Sequence, residues 1–272
     1  MKESYLKEKG LYYRINTFEQ NRPTLVFIHG LSGSSSVWIP YEKIFESKYN
    51  ILTYDIRGHG KSKKYPSFSD YEIKRFAEDL HNLIMHLNIS KLILVSHSFG
   101  TLIALEYTRL YGEKVLAGVL LSPIFNPNKK YAKKILRQFL KLTSILNLFP
   151  FNHRKGSHID YTKHQNTTDW DIKRILADIP NTTLRVYLHC LKQCMLPKQE
   201  YALEQIKIPI LFMHGKRDTL AVSDNSIILS RKIKDSEIIL LPDTDHFFMI
   251  KDVKKTSETI ESFIEKNKGV FS

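Results

Sequence analysis

The chain has 272 residues, 42% of them hydrophobic, which suffices for one large α/β domain carrying an insertion and does not require two domains. Its formal net charge is +13, and the stretch from Ser122 to Glu200 holds 14 Lys and Arg against 5 Asp and Glu, so most of the excess belongs to the middle of the chain. No segment approaches the roughly eighteen apolar residues of a membrane span, and Met1–Glu8 is acidic in part with no apolar run, which argues against a secretory signal and gives a soluble, cytoplasmic chain as the expectation.

Residues 4–18 alternate loosely around Lys9-Gly10 and predict a short hairpin at a sheet edge. Thr24–Ile28 is an apolar strand running into His29-Gly30-Leu31-Ser32-Gly33-Ser34, with a helix following from about Val37 to Glu46. That glycine-rich loop lacks both a Lys-Ser/Thr pair and G-x-G-x-x-G spacing, which excludes nucleotide binding. Ile51–Asp55 is the next strand, ending in Ile56-Arg57-Gly58-His59-Gly60-Lys61-Ser62. A helix from about Tyr71 to Leu87 then sets Ile73, Phe76, Leu80, Leu83 and Leu87 at helical spacing. His81 and His86 on it have no further ligand set and read as packing or surface residues.

Leu92–Val95 is a strand apolar on both faces, and it runs through Ser96-His97-Ser98-Phe99-Gly100 into a helix reaching about Tyr111. A serine held between strand and helix projects its hydroxyl over the sheet edge, the geometry of the G-x-S-x-G elbow with Ser96 in place of the first glycine. Val115–Leu121 is a further strand, closed by Ser122-Pro123. After a long basic segment the alternation resumes: a strand over 208–214 with the loop Gly215-Lys216-Arg217-Asp218, a helix over 223–233, a strand over 236–241, the loop Pro242-Asp243-Thr244-Asp245-His246, and a helix over 253–266. Strands alternating with helices predict an α/β fold with a mostly parallel central sheet and helices on both faces. The core then comprises residues 1–122 and 198–272, with 123–197 inserted as a helical cap. Cys190 and Cys194 are four apart in a helical stretch, a spacing that suits neither a disulfide nor zinc without further ligands, and read as reduced, semi-buried thiols.

Ser98, Asp218 and His246 each follow a different predicted strand, and functional groups in an open parallel sheet collect at the carboxyl ends of its strands. Serine is a weak nucleophile until a base takes its proton, histidine titrates near operating pH, and an aspartate fixes the imidazole tautomer and stabilises the imidazolium. The carbonyl oxygen of a substrate under attack becomes an anion, for which the backbone N–H groups of Leu31 and Phe99 are the candidate donors.

At these positions the sequence resembles the α/β-hydrolase superfamily of serine esterases and lipases. His29-Gly30-Leu31 resembles the oxyanion loop, Asp55-Ile56-Arg57-Gly58-His59-Gly60-Lys61-Ser62 the D-x-R-G-x-G-x-S loop, and Ser98 the nucleophile. His214-Gly215-Lys216-Arg217-Asp218 resembles the acid loop and Asp245-His246-Phe247 the histidine loop. The departures are Ser96 and Thr101, where many members carry glycine, which would set strand and helix slightly farther apart. The resemblance implies Ser98, Asp218 and His246 as the triad, with no metal and no cofactor. A nucleophilic aspartate would point to a dehalogenase or epoxide hydrolase, and position 98 holds serine. Ser96 and Ser122 lack the flanking turn of a nucleophile. Asp243 and Asp245 lie too near His246 in the chain to bind its ring, Asp55 and Asp79 read as structural, and His97 reads as a packing or supporting residue.

Within the basic segment Tyr131, Ile135, Phe139, Leu142, Leu146 and Phe149 step by three or four while Lys133, Arg137 and Lys141 fall on another side, a basic amphipathic helix. Its plainest reading is a cap helix packed on the core with solvated lysines. The sharper one is docking to an anionic lipid surface or to an acidic carrier of the acyl group. No recognition motif accompanies the charge, so no nucleic-acid partner is expected. His153, His158 and His164 have no carboxylate pattern of a metal site. The expected activity is hydrolysis of a small-molecule acyl ester, of acylglycerol, lysophospholipid or other medium-chain type. Cleavage of a methyl ester on a pimeloyl-type carrier, of a carbon–carbon bond by the same triad, or ligand binding without catalysis remain as alternatives.

Overall fold

The computed structural model describes residues 1–124, 151–196 and 203–271. Its strands are β1 (Lys2–Leu6), β2 (Leu11–Ile15), β3 (Thr24–Ile28), β4 (Asn50–Tyr54), β5 (Leu92–His97), β6 (Val115–Leu121), β7 (Ile210–Gly215) and β8 (Ser236–Leu241). They form one sheet in the order β1-β2-β4-β3-β5-β6-β7-β8. β1 pairs antiparallel with β2 and β2 with β4, and every pairing from β4 to β8 is parallel. The hairpin expected near the N-terminus therefore forms one edge.

The helices are α1 (Ile39–Phe45), α2 (Ile73–His86), α3 (Phe99–Tyr111), α4 (Ile172–Thr182), α5 (Leu184–Met195), α6 (Asp224–Lys232), α7 (Phe248–Lys251) and α8 (Val253–Asn267). Side chains alternate across a strand, so each central strand feeds two cores. Val26, Leu94, Leu120 and Phe212 pack with Phe76 and Leu80 of α2, Leu102 of α3 and Leu229 of α6. Phe27, Val95, Val119 and Leu211 pack on the other side with Tyr41 and Phe45 of α1 and Ile260 and Phe263 of α8. This is the doubly wound arrangement expected from the alternation.

Two helix starts differ from the periodicity. Residues Phe68–Tyr71 form a separate 3-10 turn closed by a capping box between Ser67 and Asp70, and the extended Glu72 (ψ 140°) delays α2 to Ile73. Ser35–Trp38 is likewise a 3-10 turn, after which Pro40 in the first turn of α1 suits a helix start.

The expected amphipathic helix over 131–149 lies outside the described residues. Residues 151–196 are fastened to the loops that follow β3 and β4. Ser36 Oγ donates to the Ile159 carbonyl (2.8 Å), the Gly156 N–H to the Gly60 carbonyl (2.8 Å), and His158 Nε2 to Asp55 Oδ2 (2.8 Å). Cys190 and Cys194 on α5 are not joined by a disulfide, and both are buried, deeper than the semi-buried setting expected. Among the described residues no helix is long and apolar enough to cross a membrane.

Candidate active site

Ser98 stands between β5 and α3 with φ 53° and ψ −118°, a conformation that L-residues adopt only under constraint. Its N–H is held by the Leu121 carbonyl at 2.9 Å. Gly100 is required on the far side of the turn, because a Cβ there would lie 2.6 Å from the Ile28 carbonyl oxygen and 2.7 Å from that of His29. This approach brings the start of α3 against the loop that carries Leu31. Thr101 fits in place of a glycine by turning its hydroxyl back onto the Ser98 carbonyl at 2.6 Å. Ser96 is buried and donates to the Val119 carbonyl at 3.3 Å.

The His246 ring reaches Ser98 Oγ through Nε2 at 2.8 Å and Asp218 Oδ2 through Nδ1 at 2.7 Å. A carboxylate only accepts, so Nδ1 carries the proton and Nε2 is left to accept from the serine hydroxyl. Asp218 takes two further donors on its other oxygen, the N–H groups of Leu220 (2.9 Å) and Ala221 (2.7 Å). His214 Nε2 lies 2.7 Å from the Ala221 carbonyl, which fixes the proton there, and 3.0 Å from Asp218 Oδ2. Burial by itself would raise the Asp218 carboxyl, but hydrogen bonds from His214 and His246 and the Ala221 N–H hold it well below the usual carboxylate range. It is an anion throughout the physiological range.

The loops bearing the acid and the histidine meet because β7 ends in Gly215, where a Cβ would stand 2.3 Å from the Thr244 carbonyl oxygen. The Arg217 N–H donates to that same carbonyl at 2.9 Å. His97 donates from Nε2 to the His246 carbonyl at 2.9 Å, and burial together with the repulsion of His246 pushes its own pKa down to about 3. It is a neutral support, as its sequence setting suggested. The other competing residues are spoken for: Asp79 pairs with Arg57 through two 2.6 Å hydrogen bonds, Asp243 with Arg217, and Asp245 with Lys251. Asp55 accepts from Ser35, Lys61 and His158. Ser122 is fully buried, and among the described residues its hydroxyl has no hydrogen-bond partner.

Ser98 and His246 open into a cavity of about 770 Å³ whose walls include Leu31, Tyr161, Ile175, Tyr187, Leu191 and Met249. Its lining is mostly apolar, and a large share comes from residues 161–195. The N–H of Phe99 is in the first turn of α3, where helix geometry leaves it without an intrahelical partner. Leu31 is on the cavity wall beside Ser98.

Two side chains at this site carried no signal in the sequence. Asp169 accepts the His246 N–H on Oδ1 (2.9 Å) and both the N–H and the hydroxyl of Thr219 on Oδ2 (2.8 Å each). Arg174 donates to the Asp169 carbonyl at 2.8 Å and lies over the Phe247 ring, 3.6 Å from its centroid. Among the described residues no cluster of His, Cys, Asp and Glu is arranged to hold a metal ion.

An open, mostly parallel sheet with a serine on a strained strand-to-helix turn, hydrogen-bonded to a histidine that itself bonds an aspartate, is an arrangement of the hydrolase class. The chain belongs to the alpha/beta hydrolase fold family, whose model matches residues 23–253. A Haemophilus influenzae protein named "Putative esterase/lipase" is 26% identical over 263 residues, 94% of this chain and 89% of its own length. A Saccharolobus solfataricus proline iminopeptidase is 24% identical, covering 98% of this chain and 93% of itself, and Epoxide hydrolase 1 of Caenorhabditis elegans is 21% identical, covering 96% and 69%. Among solved structures, an alpha/beta hydrolase enzyme from a Medee basin deep-sea metagenome library superposes with a TM-score of 0.74 at 22% identity, over 97% of each chain.

Proposed function

We propose that the chain is a serine hydrolase that cleaves carboxylic esters through an acyl-enzyme. The observation that carries the reading is the hydrogen-bonded chain Ser98–His246–Asp218 at the mouth of an apolar cavity. His246 takes the Ser98 proton as Oγ attacks the ester carbonyl, and Asp218 stabilises the imidazolium. The N–H groups of Leu31 and Phe99 receive the oxyanion, a contribution worth about a hundred- to a thousandfold in rate per donor. His246 then returns the proton to the leaving alcohol, and water attacks the acyl-enzyme by the same route to release the acid.

The relatives include an epoxide hydrolase and a peptidase, and the chemistry at position 98 favours the ester reading over the first. A carboxylate that opens an epoxide forms an ester which water can cleave, whereas a serine hydroxyl would form an ether with no carbonyl to attack. The apolar walls, to which residues 161–195 of the insertion contribute, suit an acyl chain of acylglycerol, lysophospholipid or other medium-chain type.

Labelling by a fluorophosphonate probe tests the proposal. Wild type is expected to label at Ser98, and Ser98→Ala to lose both labelling and, on the order of 10⁶-fold, kcat. No Ser98-dependent labelling of the folded protein would end the enzyme reading. A panel of p-nitrophenyl esters, monoacylglycerols, lysophospholipids, carrier-bound methyl esters and aminoacyl anilides then ranks the substrate classes, with esters expected to exceed anilides.

A further inference from the structure

Resting on that serine-hydrolase reading, we infer that Asp169, a residue of the inserted segment, is a positioning residue that holds the histidine and acid loops in their working register. The residue is 4% exposed, and its carboxylate accepts three hydrogen bonds of 2.8 to 2.9 Å, from the N–H of His246 and from the N–H and hydroxyl of Thr219. Thr219 follows Asp218 directly, so one carboxylate grips the backbone at the histidine and next to the acid. Hydrogen bonds to an ionised acceptor are roughly twice as strong as neutral ones, and those formed in a buried setting are screened little.

A second contact from the same segment acts on the same loop. Arg174 donates to the Asp169 carbonyl at 2.8 Å while its guanidinium covers the Phe247 ring at 3.6 Å, and that ring meets the His246 imidazole edge-on at 5.1 Å between centroids. Trp170 adds a third link by donating Nε1–H to Thr219 Oγ1 at 3.0 Å. The backbone between β8 and α7 is otherwise a tight turn without regular structure, and the loop after β7 is the same. The Arg217 N–H to Thr244 carbonyl bond ties the two loops at their base, and Asp169 ties them again at His246 and beside Asp218, where the reacting groups stand. The insertion thus works on the reaction as well as on the substrate: its residues 169–174 clamp the triad from above while its neighbours line the acyl cavity.

The test is kcat per active serine, titrated with a fluorophosphonate, because a residue that merely supports folding changes the number of active sites and leaves the turnover of each unchanged. Asp169→Ala is expected to lower kcat per titrated site on p-nitrophenyl acetate by about 10- to 100-fold, with KM within about twofold, since a 1 Å misplacement of catalytic groups costs about that much. Asp169→Asn keeps one acceptor oxygen for the His246 N–H and turns an amide toward Thr219, so a smaller loss in the same constant is expected; it also decides the matter if the alanine variant does not fold. Turnover per titrated site at the wild-type value in either folded variant, or a loss confined to KM, overturns the inference. If wild type itself fails to label at Ser98, the serine-hydrolase reading falls first, which separates the two failures.

Discussion

Gly215→Ala is the substitution for which the structure gives the clearest number. The new Cβ would stand 2.3 Å from the Thr244 carbonyl oxygen and 2.6 Å from that of Asp245, both backbone atoms that no rotamer change can move aside. An ordinary C···O contact is about 3.3 to 3.6 Å, so the loop leading to His246 must retreat by about 1 Å. Two hydrogen bonds resist the retreat, from the Lys216 N–H to the Leu241 carbonyl and from the Arg217 N–H to the Thr244 carbonyl, each 2.9 Å. The displacement passes to an imidazole that now sits 2.8 Å from Ser98 Oγ and 2.7 Å from Asp218 Oδ2. The expected outcome is a fall in kcat per titrated serine of about a hundredfold, with an overpacking cost of about 1 to 3 kcal/mol seen as a lower Tm. Gly112→Ala, whose Cβ would meet Thr108 Cγ2 at an unstrained 3.8 Å, serves as the control and should leave both unchanged. Ester turnover of Gly215→Ala within threefold of wild type would refute the claim that the close passage of these loops sets the triad geometry.

Stability should fall as the pH drops from 7 towards 5. His59 and His97 are held down to about 3 from an ordinary 6.5, both by burial first, so the unfolded chain takes up protons that the folded chain refuses. Their stabilising contribution is complete above the unfolded value and is lost progressively as pH falls from about 6.5 towards 3, at about 1.4 kcal/mol per pH unit for each. Urea unfolding at pH 7, 6 and 5 measures it, and His59→Gln should flatten the slope by about one such increment; a flat dependence in wild type would contradict both shifts. Arg57→Met should destabilise by about 3 to 5 kcal/mol in the same assay, because it strands the buried Asp79 carboxylate, and Arg57→Met with Asp79→Leu should regain much of the loss. Burial already raises the Asp79 carboxyl despite its two hydrogen bonds from Arg57, so equal stability of single and double variants would refute the stranded carboxylate as the source of the loss.

The sheet was legible because its central strands are buried on both faces, so their apolar runs stand out without reference to anything distant. Ser98 was legible for the same reason, since it follows the buried β5 directly; Asp218 and His246 stand three and five residues beyond β7 and the half-exposed edge strand β8, and were legible from their side-chain chemistry and chain order. The start of α2 was not, because Tyr71 keeps the apolar spacing of the helix while belonging to a 3-10 turn, where it is fully buried and its hydroxyl donates to the Tyr65 carbonyl at 3.0 Å. Local hydrogen bonding at Ser67 and Asp70 overrode a hydrophobic pattern that both conformations satisfy.

Asp169 was invisible for a more general reason. It lies 77 residues from His246 in the chain, and the groups it binds there and at Thr219 include backbone N–H groups, which any residue but proline supplies. A side chain that recognises backbone leaves no complementary residue type to find at the other end. The two backbone contacts are insensitive to substitution at their partners, whereas the contacts to the Thr219 hydroxyl and the Phe247 ring are not. Exchanging the roof of the cavity to alter acyl preference, with the stretch 169–174 included, should therefore change turnover along with specificity. An exchange that spares Asp169, Trp170 and Arg174 should change specificity only.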